Sequence, residues 1–380
     1  MKCFILKLFV IFMNFVYLFF KILPSKDKIV MISRQSNSIT LDFELIKNKI
    51  NKHRKYKVVI LCKKLEGKEN ASFISMIKYF FHMFVQMYHL ATSRFVILDS
   101  YCILVSILKH KKSLKVMQIW HSVGTMKKFG YAILDQEEGA SSKIAKILRM
   151  HKNYDVILCG GEGYLNDLSE QFNYDKKYFK IVPLPRIDLL NDKKYIKKVQ
   201  QDILKKYPIL KTKKNIIYVP TFRKDETFLE KNIYKIINNI NFDKYNLIIK
   251  LHPLSNVKIN NKNVILDNSF SSIDMVMVSD YVITDYSCIL YEAGILNKPL
   301  YFYCFDYEEY NNNRSLNIDY FNDLPGIVSK NFNDIIFSIE NEKYDYKKLK
   351  KFINKYVSYK DNSCNLIYKI IDDMIKESKK

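Results

Sequence analysis

Short apolar runs rich in β-branched residues recur along the 380-residue chain and constrain its fold more than any other feature. They form two series, separated by a break near 190–212 that is rich in Lys and Asp. The first series comprises KIVMIS (28–33), YKVVILC (56–62), RFVIL (94–98), KVMQI (115–119) and YDVILC (154–159). The second comprises NIIYV (215–219), NLIIKL (246–251), NVILD (263–267), DYVIT (280–284) and PLYFY (299–303). Runs of this length between helical stretches are typical of parallel sheets covered on both faces.

Two such series predict an α/β protein with two doubly wound, Rossmann-type domains that face a central cleft. A chain of this length can form two hydrophobic cores. We expect an N-terminal domain over 25–195, a C-terminal domain over 196–380, and a separate apolar segment over 1–24. Ligands of open α/β sheets bind beyond the carboxyl ends of the strands. The polar residues that follow the strands are therefore the candidate site.

The N-terminal segment from Cys3 to Leu23 is almost entirely apolar and aromatic. A membrane span needs about 20 predominantly apolar residues, so this segment is borderline. A single span, an interfacial helix and a core helix all remain open, and we favour membrane association. The stretch FISMIKYFFHMFVQMYHL (73–90) has a helical period and is either a core helix or a surface that enters the bilayer interface.

The formal net charge of +23 predicts attraction to phosphates on nucleotides or lipid head groups. Codon bias would also explain much of this excess of lysine. Nucleic acid is not expected as a partner, because no signature of a nucleic-acid-binding fold occurs. The seven cysteines include no CxxC pair, which argues against a zinc site and fits a reducing cytoplasm. We expect neither a metal nor a cofactor.

The segment QIWHSVGTMKKFG (118–130) follows a predicted strand and contains the only tryptophan. His121 could accept a proton from an attacking hydroxyl. Thr125, Lys127 and Lys128 could bind phosphate. A loop histidine packed against Trp120 is the competing interpretation.

Two further strand ends carry polar residues. In YVPTFRKDE (218–226), Thr221 and Arg223 are suitable ligands for a phosphate or a nucleotide. In IIKLHPL (248–254), Lys250 and His252 follow a buried strand, and Pro253 prevents regular pairing from continuing. The polar groups there need a partner, and either a bound phosphate or a neighbouring carboxylate would serve.

The strongest cluster lies in SDYVITDYSCILYEAGILNKPLYFYCFDYEEY (279–310). Its strand is predicted to lead directly into a helix capped by Thr284 and Asp285, whose free N–H groups at Ser287 suit a pyrophosphate. Glu292, on the same helix, could bind ribose hydroxyls. An ordinary capped helix is the alternative. Further along, Arg314 could clamp a phosphate.

Taken in order, these segments resemble the CDP-glycerol glycerophosphotransferase family of teichoic-acid and capsule synthesis. The order carries the likeness, which runs from about Lys28 to Pro325: WHSVGTMKKFG, LPRID, VPTFRKD, LHP, ITDYSCILYE, PLYFYCFDYEEY and DYFNDLPG. The resemblance implies a GT-B-like pair of Rossmann-type domains, with the donor bound mainly by the second.

The resemblance also implies residue roles. The tryptophan–histidine motif of the family matches Trp120 and His121, which makes His121 the candidate base. The PR-x-D segment matches 185–188 and gives Arg186 a donor phosphate. The RLHP-like segment matches 250–253 and places His252 at the pyrophosphate.

The other matches follow the same order. The PTxR loop matches Thr221 and Arg223, and the TDYSS motif matches 284–288. The family acid falls on Glu292. Three positions depart from the pattern: Ser122 replaces a glycine, with Gly124 as the substitute turn residue, Cys288 replaces a serine, and the usual Phe-Asp is Tyr291-Glu292.

The predicted activity is transfer of glycerol phosphate from CDP-glycerol to a hydroxyl of a lipid-linked cell-wall or capsule polymer precursor, with release of CMP. We expect fixed protein donors to take the place of a metal. The enzyme would act at the cytoplasmic face of a bacterial membrane, on an anionic surface, and a homo-oligomer is compatible with the sequence. Alternatives are a CDP-ribitol-dependent transferase, a nucleotide-sugar GT-B glycosyltransferase and a non-enzymatic basic protein.

Overall fold

The structure is a computed structural model that describes residues 2–64, 72–313, 315–342, 344–358 and 361–379. The chain divides into two compact units. Unit 1 consists of Met1–Ser122, Phe129–Arg186 and Ser358–Lys380. Unit 2 consists of Val123–Lys128 and Ile187–Val357.

Unit 1 contains a six-stranded parallel sheet in the order β2-β1-β3-β4-β5-β6. Its strands are β1 (Lys28–Ser33), β2 (Lys57–Cys62), β3 (Phe95–Leu98), β4 (Lys115–Gln118), β5 (Val156–Cys159) and β6 (Phe179–Ile181). The central strands β1 and β3 are buried along their whole length, which is why they read as continuous apolar runs. The strand order reverses between β1 and β3, and this switch point is where a doubly wound sheet opens a crevice for ligands.

The helices of unit 1 cover both faces of this sheet or pack at its edges. They are α1 (Lys2–Lys21), α2 (Leu41–His53), α3 (Phe73–Thr92), α4 (Ile103–Ile107), α5 (Ser142–Ile147), α6 (Leu165–Phe172) and, at the end of the chain, α15 (Ser363–Glu377). The chain passes to unit 2 in α7 (Arg186–Leu190). By length and composition, α1 is the one helix in the described part of the chain that could cross a membrane.

Unit 2 contains a second six-stranded parallel sheet in the order β12-β11-β10-β7-β8-β9. Its strands are β7 (Lys214–Val219), β8 (Tyr245–Ile249), β9 (Val264–Leu266), β10 (Tyr281–Thr284), β11 (Leu300–Tyr303) and β12 (Ile327–Ser329). Its helices are α8 (Lys193–Lys206), α9 (Thr227–Asn239), α10 (Ser272–Met277), α11 (Ile289–Ile295), α12 (Tyr307–Asn313), α13 (Phe332–Glu340) and α14 (Tyr346–Tyr356). Here the strand order reverses between β7 and β10, as in the dinucleotide-binding Rossmann sheet.

These two sheets confirm the predicted fold class and all ten predicted strands. The edge strands β6 and β12 were not predicted, because each three-residue run contains a polar residue, whereas β9, an edge strand of the same length, is entirely apolar. The break near 190–212 separates the two strand series as expected, but it contains the helix α8, which Asp192 caps.

The division into units departs from the predicted boundary between residues 195 and 196. The second stretch of unit 1 ends at Arg186, and unit 2 continues from Ile187. Residues 358–380 again belong to unit 1, where α15 packs on α2. The short segment 123–128 belongs to unit 2 although it follows a strand of unit 1. Local patterns in the sequence do not reveal such crossings, since they depend on contacts between distant residues.

Gly326 is required where the chain enters the edge strand β12. A Cβ atom at this position would lie 1.8 Å from the backbone oxygen of Leu300, on the neighbouring strand β11. The mutant Gly326→Ala must displace backbone, so we expect its free energy of unfolding to fall by about 1–3 kcal/mol. Gly163→Ala, at an exposed position in unit 1, is the control in denaturant unfolding. Equal stability of the two mutants would contradict this prediction.

Candidate functional site

In unit 1, Trp120 and His121 lie directly beyond the carboxyl end of β4. The backbone of Trp120 has φ +62°, a conformation that is costly for a bulky side chain. Its ring stacks on Phe129, with ring centroids 4.2 Å apart, and contacts Phe172 edge-on. This aromatic packing holds the strained turn in place, so the position of His121 is fixed by the unit 1 core.

The tautomer of His121 follows from its neighbours. Its Nδ1 lies 3.0 Å from the backbone oxygen of Asp99, at the end of β3. A carbonyl oxygen can only accept, so Nδ1 carries the proton and donates it. The Gln35 amide, after β1, lies 3.4 Å from the same nitrogen and is the weaker contact. Neutral His121 therefore presents an unprotonated Nε2, as a general base must.

The surroundings of His121 favour this neutral form. Desolvation lowers the pKa of His121 and is the largest effect; the hydrogen bond to the Asp99 carbonyl opposes it, and the charges of Arg186, which lowers the pKa, and of Asp42, which raises it, have smaller effects. The residue nevertheless remains accessible to solvent. The buried carboxyl of Asp99 has its pKa raised to about 6 by burial.

Arg186 is held by Asp42, a buried residue of α2. The Arg186 Nε and Nη2 atoms donate to Asp42 Oδ2 at 2.9 and 2.5 Å, and the Arg186 backbone N–H donates to Oδ1 at 2.9 Å. The Nη2 atom also lies 3.4 Å from the His121 backbone oxygen. The structure thus brings Arg186 and His121 together.

In unit 2, Asp285 joins the two strand ends at the switch point. Its carboxylate accepts hydrogen bonds from the Thr221 backbone N–H at 2.9 and 3.1 Å and from Arg223 Nη2 at 2.9 Å. The Tyr286 backbone N–H donates to it at 2.6 Å. Thr221 and Arg223 follow β7, and Asp285 follows β10, so residues 64 and 62 positions apart meet here.

This arrangement corrects the predicted helix cap. The helix α11 begins at Ile289, and neither Thr284 nor Asp285 caps it. The Thr284 hydroxyl instead donates to the Val219 carbonyl oxygen at 2.8 Å and links β10 to β7. The cap was predicted from residues that are neighbours in the sequence. In the structure, Thr284 and Asp285 instead form hydrogen bonds at the end of the neighbouring strand β7 and in the loop after it.

Arg223 is a buried part of the framework. Besides Asp285, it binds both carboxylate oxygens of Asp306, at 2.7 and 3.1 Å. Burial opposes its charge, but Asp285 and Asp306 raise its pKa above the usual value. Its guanidinium lies over the rings of Tyr286 and Tyr310, which stack with centroids 3.8 Å apart. Most of its N–H donors are bonded to these partners, so Arg223 mainly holds the surrounding residues in position.

Lys250 is also paired within unit 2. Its Nζ donates to Asp267 Oδ2 at 3.0 Å, to the Asp267 backbone oxygen at 2.6 Å and to the Phe270 backbone oxygen at 2.5 Å. An ammonium group has three donors, and these contacts use all of them. Of the two partners considered for this strand end, the structure shows the carboxylate.

His252 has the opposite tautomer to His121. Its Nδ1 accepts a hydrogen bond from the Leu254 backbone N–H at 3.2 Å. In the neutral form the proton therefore resides on Nε2, which can donate to an anionic oxygen. Its ring centroid lies 5.6 Å from that of Phe222, in the loop that follows β7.

Gly124 and Thr125 lie in unit 2 against α11. A Cβ atom on Gly124 would lie 2.5 Å from the ring of Tyr291, so only glycine allows this approach. The Tyr291 hydroxyl donates to the Thr125 backbone oxygen at 2.9 Å, and Asn317 donates to the Thr125 hydroxyl. The structure therefore brings this segment to the helix that carries Glu292.

The remaining predicted residues have local roles. The Ser287 hydroxyl accepts from the Ile289 backbone N–H at 3.3 Å, and Cys288 is the residue before α11. Glu292 is buried within α11, and Ser122 ends the first stretch of unit 1. Arg314 lies outside the described residues. In the described ranges no group of three His, Cys, Asp or Glu residues could hold a metal ion.

Sequence reasoning missed several residues of these clusters. Asp99 directly follows the predicted strand 94–98, so the rule that picked out His121 could have found it. Asp306 lies within a quoted motif but was given no role. Asp42 had no signal, because it reaches Arg186 across 144 positions.

Each unit thus combines a doubly wound parallel sheet with a polar cluster at its strand ends. This architecture is a GT-B-like fold built from two Rossmann-type sheets. The profile of the CDP-glycerol:poly(glycerophosphate) glycerophosphotransferase family matches residues 15–372, and the chain belongs to this family.

Two sequence relatives agree with this assignment, and a solved structure shares the fold. A teichoic acid ribitol-phosphate primase of Bacillus spizizenii is 29% identical over 347 residues, which cover 88% of either chain. A teichoic acid glycerol-phosphate primase of Bacillus subtilis is 30% identical over 304 residues, 77% of either chain. A variant of the wall teichoic acid polymerase TagF soaked with CDPG has a TM-score of 0.74 at 18% identity, covering 100% of this chain and 99% of that one.

The pairing of Lys250 predicts a structural effect for its loss. Lys250→Met leaves the Asp267 carboxylate buried and without its main cation, so the free energy of unfolding should fall by about 3–5 kcal/mol. Lys206 also approaches Asp267, at 3.6 Å, but its side chain is 47% exposed. Lys206→Met is therefore the matched control, expected to cost about 0–1 kcal/mol in denaturant unfolding. If Lys250→Met and Lys206→Met lowered the free energy of unfolding equally, burial of the lysine would not determine its contribution to stability.

Proposed function

We propose that this chain transfers glycerol phosphate from CDP-glycerol to a hydroxyl group of a lipid-linked polymer precursor. Family membership supports the reaction class, and the tautomer of His121 is the structural observation that carries the mechanism. The acceptor oxygen attacks the β-phosphorus of the donor, an O–P bond forms, and the bond to the CMP oxygen breaks. CMP leaves with the electron pair of that bond.

His121 takes the acceptor proton on Nε2. Its Nδ1–H is fixed on the Asp99 carbonyl oxygen, so the ring does not need to change tautomer before it accepts the proton. Desolvation keeps the resting histidine neutral, and the charge of Arg186, which is held by Asp42, adds to this effect and is suited to a donor phosphate. A base positioned in this way contributes roughly 10²–10⁴-fold to a rate.

His252 and Thr221 stabilise the negative charge of the donor phosphates. The Nε2–H of His252 is a donor suited to a phosphate oxygen, since Nδ1 is engaged with Leu254. The Thr221 hydroxyl is buried and has no protein hydrogen-bond partner within the described ranges. A buried hydroxyl without a partner is costly, and a ligand oxygen would satisfy it. Ser287 and Glu292 remain candidates for contacts to the donor, and Lys250 and Arg223 act through the positions of their neighbours.

Ribitol is the second candidate for the alditol. The ribitol-phosphate primase matches a larger part of this chain than the glycerol-phosphate primase does, at nearly the same identity. At position 292 this chain has Glu where the family usually has Asp, and this difference also leaves the identity of the alditol open. A lipid-linked acceptor requires the enzyme to act at the membrane, on the cytoplasmic face where CDP-alditols are available.

The donor is tested by release of CMP from CDP-glycerol, with CDP-ribitol and UDP-glucose assayed in parallel and bacterial membranes as the source of acceptor. We expect release of CMP from CDP-glycerol and no release of UDP from UDP-glucose. Turnover of CDP-ribitol alone would replace glycerol by ribitol. Turnover of UDP-glucose alone would refute the proposed function and leave the fold unchanged.

The base is tested by pH dependence and mutation. Because the pKa of His121 is lowered, the neutral form persists below the usual value of 6.5, and kcat/KM should fall only when the pH drops further. His121→Ala should lose roughly 10²–10⁴-fold in turnover and the acid limb of the profile. His53→Ala, which replaces an exposed histidine of the same unit, should change neither the turnover nor the acid limb of the pH profile. An unchanged acid limb in His121→Ala would exclude His121 as the base.

A further inference from the structure

A cavity in unit 1 has cations but no carboxylate in its lining. Its volume is about 410 Å³, a size typical of ligand sites, and it is lined by Tyr131, Ser142, Lys146, Arg149, Lys152 and Asn173. Within the described ranges, the side chain of Arg149 makes only a long contact, 3.5 Å, to Asn153 Oδ1, and that of Lys152 lies over the ring of Tyr174. None of the three cations forms a salt bridge with a described residue. The cavity therefore offers positive charge that the protein itself does not neutralise.

The turn that carries Arg149 and Lys152 has an unusual backbone. Arg149, His151 and Asn153 have φ of +49°, +56° and +70°, which is costly for arginine and histidine. The Asn153 side-chain nitrogen holds the turn, since it lies 2.8–3.2 Å from the backbone oxygens of Val105, Ser106 and Leu108. Met150 and His151 are buried, so one cation stands on either side of two buried residues. Strain that surrounding contacts maintain in this way is common at ligand sites.

The residues that anchor this turn also anchor the apolar helix α1. Asn14 of α1 donates to the Ile107 backbone oxygen at 3.0 Å, and the Tyr17 hydroxyl lies 3.2 Å from His110 Nδ1. The helix α5, which carries Lys146, contacts α1 directly. The cationic lining therefore lies beside an apolar helix. This combination favours a ligand that is anionic at one end and apolar at the other.

The general excess of lysine in the chain does not account for this lining. Two cavities of unit 2 also contain lysines, but the lining of the first includes Asp280, and that of the second includes Asp225, Glu226 and Glu230. In unit 1, the Asp135 carboxylate binds the Ser142 backbone N–H at 2.9 Å but is not part of the lining. Cations that share a cavity without a countercharge repel each other, and a bound anion removes this repulsion.

We propose that this cavity, the unit 1 cationic cavity, binds a phosphate or diphosphate group of the lipid-linked acceptor. The planar guanidinium of Arg149 can donate two parallel hydrogen bonds to phosphate oxygens, and Lys146 and Lys152 add positive charge. No bond is made or broken at this site. The inference rests on the proposed transfer to a lipid-linked acceptor, and it adds the place where unit 1 holds that acceptor.

Binding of farnesyl diphosphate, a short amphiphile with a diphosphate head, tests the cavity without any donor. The purified full chain is titrated by calorimetry with farnesyl diphosphate, farnesol and inorganic diphosphate. The double mutant Lys146→Gln with Arg149→Gln removes two charges of the cavity and should weaken binding of farnesyl diphosphate by about tenfold or more. Farnesol and inorganic diphosphate should bind the wild type more weakly, since each supplies one half of the ligand.

Lys143→Gln with Arg54→Gln is the matched control. Lys143 is exposed on α5, and Arg54 is exposed in unit 1 with φ +51°, so this pair removes the same charge and also places a glutamine on a left-handed backbone. It should bind farnesyl diphosphate as the wild type does. Equal losses in the two double mutants would assign the effect to net charge and refute the cavity. If the cavity mutant has a lower thermal midpoint, Lys146→Gln compared with Lys143→Gln repeats the test outside the strained turn.

Competition separates the sources of the phosphate group. Phosphatidylglycerol vesicles should not displace farnesyl diphosphate at equal concentrations of phosphate. Displacement would assign the cavity to a membrane phospholipid and overturn the acceptor as its ligand. Inorganic diphosphate that bound as tightly as farnesyl diphosphate would make the cavity a site for a free anion, which also contradicts the proposal.

CMP release separates this inference from the proposed function. With CDP-glycerol as donor and a lipid extract of bacterial membranes as acceptor, the cavity mutant should raise the KM for the extract by about tenfold and leave the KM for CDP-glycerol unchanged. A rise in the KM for CDP-glycerol alone would refute an acceptor site. Absence of CMP release by the wild type would refute the proposed function, whereas the titration with farnesyl diphosphate would still decide whether the cavity binds phosphate.

Discussion

The carboxylate of Asp285 is the interaction on which the unit 2 cluster depends. It binds the Thr221 N–H group and Arg223 together, so the loops that follow β7 and β10 have one fixed arrangement. Arg223 extends this link to Asp306 beyond β11. Because these groups are buried, removal of one would leave the others with unpaired charge or an unsatisfied donor. The position of the Thr221 hydroxyl therefore follows from a charge network beneath it.

Unit 1 fixes its candidate base in a different way. His121 is held by one backbone carbonyl and by the strained, stacked turn at Trp120, while Arg186 is held by Asp42. A carbonyl orients the imidazole without adding a negative charge, and its hydrogen bond raises the pKa of His121 less than desolvation lowers it, so the ring stays neutral. Polar hydrogen bonds thus set opposite tautomers in His121 and His252, which suits one to accept a proton and the other to donate one.

Much of the fold could be predicted because buried parallel strands appear as continuous apolar runs, and ten of the twelve strands in the described ranges carry that pattern. The edge strands β6 and β12 do not, since each three-residue run contains a polar residue. The candidate site was predicted as a set of strand-end residues, but not as a set of pairs. For Lys250 both a phosphate and a carboxylate were open as partners, and for Arg223 a phosphate was expected; the structure shows carboxylate partners for both.

The sequence by itself determined the fold class, the family and the strand ends that carry polar residues, because these depend on local composition and on the order of motifs. Only the tertiary structure decided which residues meet. Asp42 reaches Arg186 across 144 positions, and Thr221 meets Asp285 across 64. It also decided which face of α1 is outward. Hydropathy records how apolar a helix is, whereas contacts with distant residues such as Ile107 and His110 determine which side the protein covers.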